Sequence, residues 1–227
     1  MKLHRMHRWD LSPGEAIALQ NELASQVNVS VPLGRCELIA GADVSYNRFS
    51  DVIYAGVIVW RAADNTVVEQ QSAITETHFP YVPGLLSFRE APALIDAFAK
   101  VESRPDVVML DGQGIAHPRG VGIASHVGLW LEVPTVGCAK SRLYGRFEEP
   151  AEEAGSTSPL VGRGKQVVGE VVRTKDGINP VFASPGHLID VAGAVRAVLA
   201  GVRGYRLPEP TRRAHLFVNE ERRKGSG

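Results

Sequence analysis

Apolar and polar positions along the chain change period from segment to segment, and the changes outline its elements. Behind Ser12-Pro13-Gly14-Glu15, apolar residues recur at helical spacing to about Val27. Ser as N-cap, Pro at the first helical position and Glu three residues after the cap make a helix start. Three apolar runs follow at 36–46, 52–60 and 66–75, with Ala62-Ala63-Asp64-Asn65 as a turn between the last two. This spacing predicts a three-stranded antiparallel meander.

The pattern then alternates. A Pro/Gly-rich loop, His78-Phe79-Pro80-Tyr81-Val82-Pro83-Gly84, precedes a helix near 87–100, a strand at 107–110, a Gly-rich loop, a helix near 123–131 and a short strand at 133–138. Strand–helix alternation favours parallel pairing. Residues 148–158, acidic and then small and polar, read as an exposed loop, and 166–173 as one more strand. Ser184-Pro185-Gly186-His187-Leu188 predicts the opening of a helix to about Leu199. Together these give a single mixed α/β domain over residues 1–227. Its sheet has three antiparallel strands, then strands parallel to the first, flanked by helices.

Composition narrows the function classes. Hydrophobic content of 44% and 22% charged residues describe an ordinary globular protein. With 25 basic and 25 acidic side chains the net charge is zero, so nucleic-acid binding requires a local patch. The most basic region is the tail from Arg203, whose cations either contact phosphates or only solubilise it. Cys36 and Cys138 form no CxxC pair, which suits a reducing compartment. The charged N-terminus lacks a signal-peptide core, and no run approaches the roughly 18 apolar residues of a membrane span. A cytoplasmic monomer without a membrane segment is expected.

Candidate chemistry gathers at strand ends. Asp111 follows the apolar run 106–110 and opens Asp111-Gly112-Gln113-Gly114-Ile115-Ala116-His117; Asp43 sits in a similar strand context at 38–46. Carboxylates on core strands are costly unless paired, hydrogen-bonded or metal-bound. Glu90 sits at the start of the next helix. Three carboxylates from three elements can converge on a hard cation such as Mg²⁺; singly, each also fits a cap, a turn or a surface charge. Lys140, beyond the strand at 133–138, suits a phosphate as a point charge, or solvent. His117, in a Gly-rich loop after a strand, reads as a site residue or an ordinary polar one. Tyr81, between two prolines that stiffen its loop, reads as a wedge between stacked bases or as a core tyrosine. Gly84, Gly112, Gly114, Gly120, Gly122 and Gly137 cluster around these loops, where backbone can form a pocket for a flat ligand. His187 reads as structural, and His215 as either a surface residue or a group able to reach a metal or activate water.

Several motifs, in this order, resemble the endonuclease V family of deoxyinosine 3′-endonucleases. They are Ala40-Gly41-Ala42-Asp43-Val44-Ser45-Tyr46, then Tyr81-Val82-Pro83-Gly84-Leu85-Leu86-Ser87-Phe88-Arg89-Glu90, then 111–120, Gly122-Ile123-Ala124-Ser125-His126, Val136-Gly137-Cys138-Ala139-Lys140 and Ser184-Pro185-Gly186-His187. The resemblance implies an RNase H-like core and hydrolysis of the second phosphodiester bond 3′ to deoxyinosine, leaving 3′-hydroxyl and 5′-phosphate ends. It implies Mg²⁺, with Mn²⁺ as a substitute, on Asp43, Glu90 and Asp111, with His117, Lys140 and His215 serving catalysis. It implies Tyr81 as the wedge, and Gly84, Leu86, Gly112, Gly122, Ile123 and Gly137 as the pocket for the extruded hypoxanthine. The expected partner is inosine-containing DNA. The competing readings are an inosine-directed endoribonuclease and a non-catalytic nucleic-acid-binding domain.

Overall fold

Val107-Val108-Met109-Leu110 is buried at every residue, the burial pattern of a strand covered on both faces. A computed structural model of the chain describes residues 1–48 and 50–225. In chain order its elements are α1 (Pro13–Ala24), β1 (Leu38–Ser45), β2 (Val52–Arg61), β3 (Thr66–Glu76), α2 (Leu86–Ala99), β4 (Val107–Leu110), α3 (Ile123–Leu131), β5 (Thr135–Ala139), β6 (Thr157–Val161), β7 (Val167–Val172), β8 (Val181–His187), α4 (Val191–Ala200) and α5 (Glu209–Gly225). One eight-stranded sheet runs in the order β3-β2-β1-β4-β5-β8-β7-β6.

The meander β1–β2–β3 is antiparallel, and β4 and β5 join parallel to β1. The expected parallel run stops there, because β8, β7 and β6 are all antiparallel to their neighbours. The reason lies in the connection after β5. A parallel pair needs a crossover, usually a helix, and residues 140–156 form none. The chain instead returns through the β6–β7 hairpin. The end of the expected loop 148–158 is part of β6, an edge strand whose residues alternate between exposed and buried.

A second correction concerns 184–188. Ser184-Pro185-Gly186 imitates a helix start, yet all of β8 is buried strand. Pro185 is tolerated beside an irregularity in the β5–β8 register, where proline's missing N–H costs the ladder least. The true N-cap is Asp190, whose carboxylate accepts from the Gly193 amide at 2.6 Å. At α1 the expected cap is present, with Ser12 and Glu15 bonded reciprocally.

Alternation along β1 divides the core. Ala40 and Ala42 pack with Leu94 and Phe98 of α2 and Val127 of α3. Ile39 packs on the other face with Val198 of α4 and Ala214 of α5. The tail that composition marks as basic is therefore largely a helix laid on the sheet. Its cations are mostly engaged: Arg203 lies 5.0 Å from the Trp60 ring centroid, Arg206 donates to the carbonyls of Lys140, Asn179 and Pro180, and Arg212 and Arg213 pair with Glu209. Among the described residues no helix is long and apolar enough to cross a membrane.

Helix α5 lies close because two facing strand residues are glycines. A Cβ on Gly41 would fall 2.0 Å from the Pro210 carbonyl oxygen, and one on Gly56 would fall 2.9 Å from Val218 Cβ. Gly41→Ala should therefore push the start of α5 off the sheet and cost about 1–3 kcal/mol, the usual range for overpacking. Thermal unfolding measures this, at about 2–4 °C per kcal/mol for a domain of this size. An unchanged midpoint would show that the helix accommodates the methyl group.

Candidate active site

Strand register places the first two carboxylates. Ala42 of β1 pairs with Leu110 of β4, so the next residues stand beside each other, Asp43 within β1 and Asp111 just past the end of β4. Leu110 also pairs with Gly137 of β5, and three residues on comes Lys140. Its ammonium is hydrogen-bonded to Asp111 Oδ2. From the opposite face α5 delivers His215, whose Nδ1 lies 2.7 Å from Asp43 Oδ2. Asn219, one turn later, donates to the His215 carbonyl at 2.7 Å and accepts from Ser45 Oγ at 2.9 Å. Helix α2 supplies Glu90, which is only 6% exposed.

The three acids oppose one another's ionisation. Burial first, and then Asp43 and Asp111, push Glu90 up to about 8, against the opposing effects of Arg89 and Tyr46. Asp43 is raised by burial and by Asp111, against the His215 and Val44 hydrogen bonds. Among the described residues no three His, Cys, Asp or Glu side chains are already gathered as a ligand set, and Asp43 and Asp111 are held by His215 and Lys140. The donor chemistry nonetheless fits a hard divalent ion. Three carboxylates, mutually repelling in a partly dry site, are what such an ion neutralises.

Beside the acids is a cavity of about 420 Å³, and Asp111 and Lys140 line it as well. Tyr81, Gly84, Leu86, Gly112, Gly122 and Ile123 are in its wall, with His117. Gly137 is not among the lining residues. It lies in β5, where its missing Cβ leaves room for the loop backbone, 2.5 Å from both Gly112 O and Gly114 N. Gly122 acts similarly: its amide donates to Gly114 O at 2.9 Å, and a Cβ there would fall 2.3 Å from Gln113 O. A larger residue at Gly122 would therefore displace the 112–114 loop rather than simply fill the cavity.

His117 joins two walls of the cavity. Its Nε2 donates to the Gly84 carbonyl at 3.0 Å, and its Nδ1 accepts from the Arg119 amide at 3.2 Å. Gly84, at φ +80°, also accepts from Gln20 at 3.2 Å and Arg119 Nη2 at 2.7 Å. Gln20 bonds Val121 O at 2.6 Å and Arg119 Nε as well. Burial, then the Arg119 charge, hold His117 down at about 4, against the Gly84 bond. The ring is neutral, and both its nitrogens are used within the protein. Sequence reasoning passed over Gln20 and Arg119, and also Gln113, whose amide donates to Ser141 O at 3.0 Å. No local signal marks them, because each acquires its role only through distant partners.

Tyr81 is 67% exposed on a loop fastened from below. Phe79 is buried and stacks on Phe88 at 5.6 Å, and its carbonyl accepts from Arg89 at 2.6 Å. His187 is elsewhere, buried in β8 with Nδ1 accepting from the Asn28 amide at 3.2 Å, in keeping with its structural reading.

A family model described as Endonuclease V matches residues 19–216. The chain belongs to the endonuclease V family. Endonuclease V of Dehalococcoides mccartyi is 50% identical over 97% of this chain and 98% of its own length. The solved structure of endonuclease V from Streptomyces avermitilis superposes with a TM-score of 0.92 at 37% identity, covering 100% of both chains. The Ciona intestinalis endonuclease V, solved with a 24mer DNA containing an inosine followed by a ribo-adenosine, shares the fold at TM-score 0.80 and 23% identity, covering 93% of this chain and 98% of that one. The chain is thus an endonuclease with the RNase H-like mixed sheet that the motifs implied.

Two outcomes follow from the cavity wall of this endonuclease V family member. His117, near 6.5 when unfolded and about 4 in the fold, binds fewer protons in the native state between those values. Its contribution to stability is therefore complete above pH 6.5 and is lost as pH falls from 6.5 towards 4. Urea unfolding across that window should show a shallower pH slope for His117→Asn, by up to one proton; equal slopes would mean that the ring titrates normally. If the exposed Tyr81 ring stacks on a base, Tyr81→Ala should weaken DNA binding by about five- to 150-fold, from the roughly 1–3 kcal/mol of base–aromatic stacking. Unchanged affinity by fluorescence anisotropy would leave the exposed ring without that role.

Proposed function

We propose that this endonuclease is metal-dependent, recognises deoxyinosine in DNA and hydrolyses the second phosphodiester bond 3′ to it. The observation that carries this reading is that Asp111 and Lys140 belong both to the carboxylate group and to the wall of the adjoining cavity. Recognition and cleavage then act on one strand at adjacent points. Removing a base from the stack costs a few kcal/mol. An exposed tyrosine on a braced loop is suited to fill the space that the base leaves. Hypoxanthine lacks guanine's exocyclic amine and differs from adenine in its hydrogen-bonding edge. A cavity walled by the braced 84, 112–113 and 122 backbone can discriminate on both counts.

Asp43, Asp111 and Glu90 would hold Mg²⁺, or Mn²⁺ in its place. When bound, the ion supplies the activation of water and the stabilisation of the leaving oxygen that phosphodiester hydrolysis requires. Lys140 is placed to stabilise charge developing on the phosphate, and His215 orients Asp43. Water adds to phosphorus as the P–O3′ bond breaks. One product ends in a 3′-hydroxyl and the other keeps the 5′-phosphate.

Asp111→Asn should lower cleavage of an inosine-containing oligonucleotide by at least about a thousandfold, in line with the several kcal/mol a metal site supplies. Binding should stay within a few-fold. Chelation should stop the wild type and Mg²⁺ restore it. Turnover by Asp111→Asn, or by the chelated wild type, would refute the metal assignment. DNA and RNA versions of the substrate, run side by side with end-mapping of the products, test the nucleic acid and the bond. Faster cleavage of RNA would replace this reading with an endoribonuclease.

A further inference from the structure

The cations that composition places in the tail are mostly engaged with protein groups, but three others are not. Arg146, Arg163 and Lys165 are exposed, and among the described residues none of them forms an ion pair or a side-chain hydrogen bond. They line one depression of about 490 Å³ with Tyr144, Gly162 and Gly164, and no acid lines it. In a chain of zero net charge, three unpaired cations around one acid-free depression form the local patch that nucleic-acid binding requires.

The patch is built on an ordered hairpin tip. Gly162 N donates to Gln166 O at 2.8 Å, and Arg163 N donates to the Tyr144 hydroxyl at 3.0 Å. Gly164 and Lys165 take positive φ, at +65° and +63°. The tip is also continuous with the site. Tyr144 and Arg163 line a second depression of about 310 Å³ together with His117, and His117 lines the cavity beside Asp111. Along the sheet the order is β1, β4, β5, β8, β7, β6. Asp43 on β1 and the β6–β7 tip therefore lie on opposite sides of β5, and the tip lies at the Thr135 end of β5 rather than at the end that leads into Lys140, so the depressions shared through His117 are what connect it to the site.

We propose that the β6–β7 tip, through Arg163 and Lys165, together with Arg146, whose backbone bridges to Val161 beside it, grips the phosphate backbone of the substrate strand on the 5′ side of the inosine. The inference rests on the function proposed above. If the cut lies 3′ to the base, the 3′ side of the strand runs from the cavity towards Asp43. The strand leaving in the other direction, along the three adjoining depressions, is the 5′ flank. The contacts carry no sequence information; they set register and add salt-sensitive affinity.

The test is equilibrium binding of the full chain in chelator, so that nothing is cut. Three single-stranded oligonucleotides are compared: one with inosine in the middle, one trimmed on its 5′ side and one trimmed on its 3′ side. The wild type should lose about tenfold or more in affinity on 5′ trimming, as expected for three lost phosphate contacts. The triple variant Arg146→Gln/Arg163→Gln/Lys165→Gln should bind the full oligonucleotide as the wild type binds the 5′-trimmed one. Its slope of log K against log salt should be shallower by about 2, and that of Arg163→Gln alone by about 0.7. Both variants should keep the wild-type preference for inosine over adenine. An unchanged salt slope in both variants, or a triple variant that still loses affinity on 5′ trimming, would overturn the proposal. Absence of inosine preference in the wild type would count against the function reading alone, and the flank and salt comparison would still decide the role of the hairpin.

Discussion

Two aspartates side by side where neighbouring parallel strands stop pairing repel each other, with little water to screen them. The rest of the site is arranged around that repulsion. Asp43 is countered by His215 from α5, Asp111 is countered by Lys140 from the end of β5, and Glu90 is pushed up to about 8 by its burial first and then by both aspartates. Each partner comes from a different element, so the arrangement exists only when sheet and helices are assembled. Removing any one partner leaves a partly buried charge uncompensated, which costs more than the pair itself contributes.

The cavity wall follows a different principle. Gly84, Gly112 and Gly122 stand in it among larger side chains, and it is braced by hydrogen bonds that converge on the Gly84 carbonyl. Three donors, from Gln20, His117 and Arg119, meet there. Neutral His117 suits this position because it donates with one nitrogen and accepts with the other. Once charged it could only donate, and the Arg119 amide would lose its acceptor. The ring of His117 is thus kept neutral, while Asp111 and Lys140 bring charge to the cavity from the side of the acids.

Glycine links the two regions at a few positions where backbone approaches backbone. Gly41 admits α5, and with it His215, to the sheet, while Gly137 admits the loop that follows Asp111. In both places the missing side chain is needed for an approach that a Cβ would block, so these glycines act on the site from the layer behind it.

Much of this was legible in the chain. Helical and strand periods located α1, the meander, α2, β4 and α3 closely, because those elements follow local burial patterns. Asp43 and Asp111 were legible as a pair, because an acid ending an apolar run has few inexpensive structural explanations. The antiparallel return of β6 to β8 was not legible, since strand direction depends on what connects the strands. The Ser-Pro-Gly of β8 looked like a helix start, because cap chemistry is local whereas burial by β5 and β7 is not. The basic tail read as either a phosphate-contacting or a merely solubilising segment, and its guanidinium groups bond carbonyls, Glu209 and the Trp60 ring. Periodicity and motif order determined the element types, the family resemblance and the acids at the strand ends. Only tertiary structure decided which cation met which acid, that Gln20 and Arg119 secure Gly84, and which cations remain free. Those outcomes depend on contacts between residues tens to more than a hundred positions apart, and no local pattern encodes them.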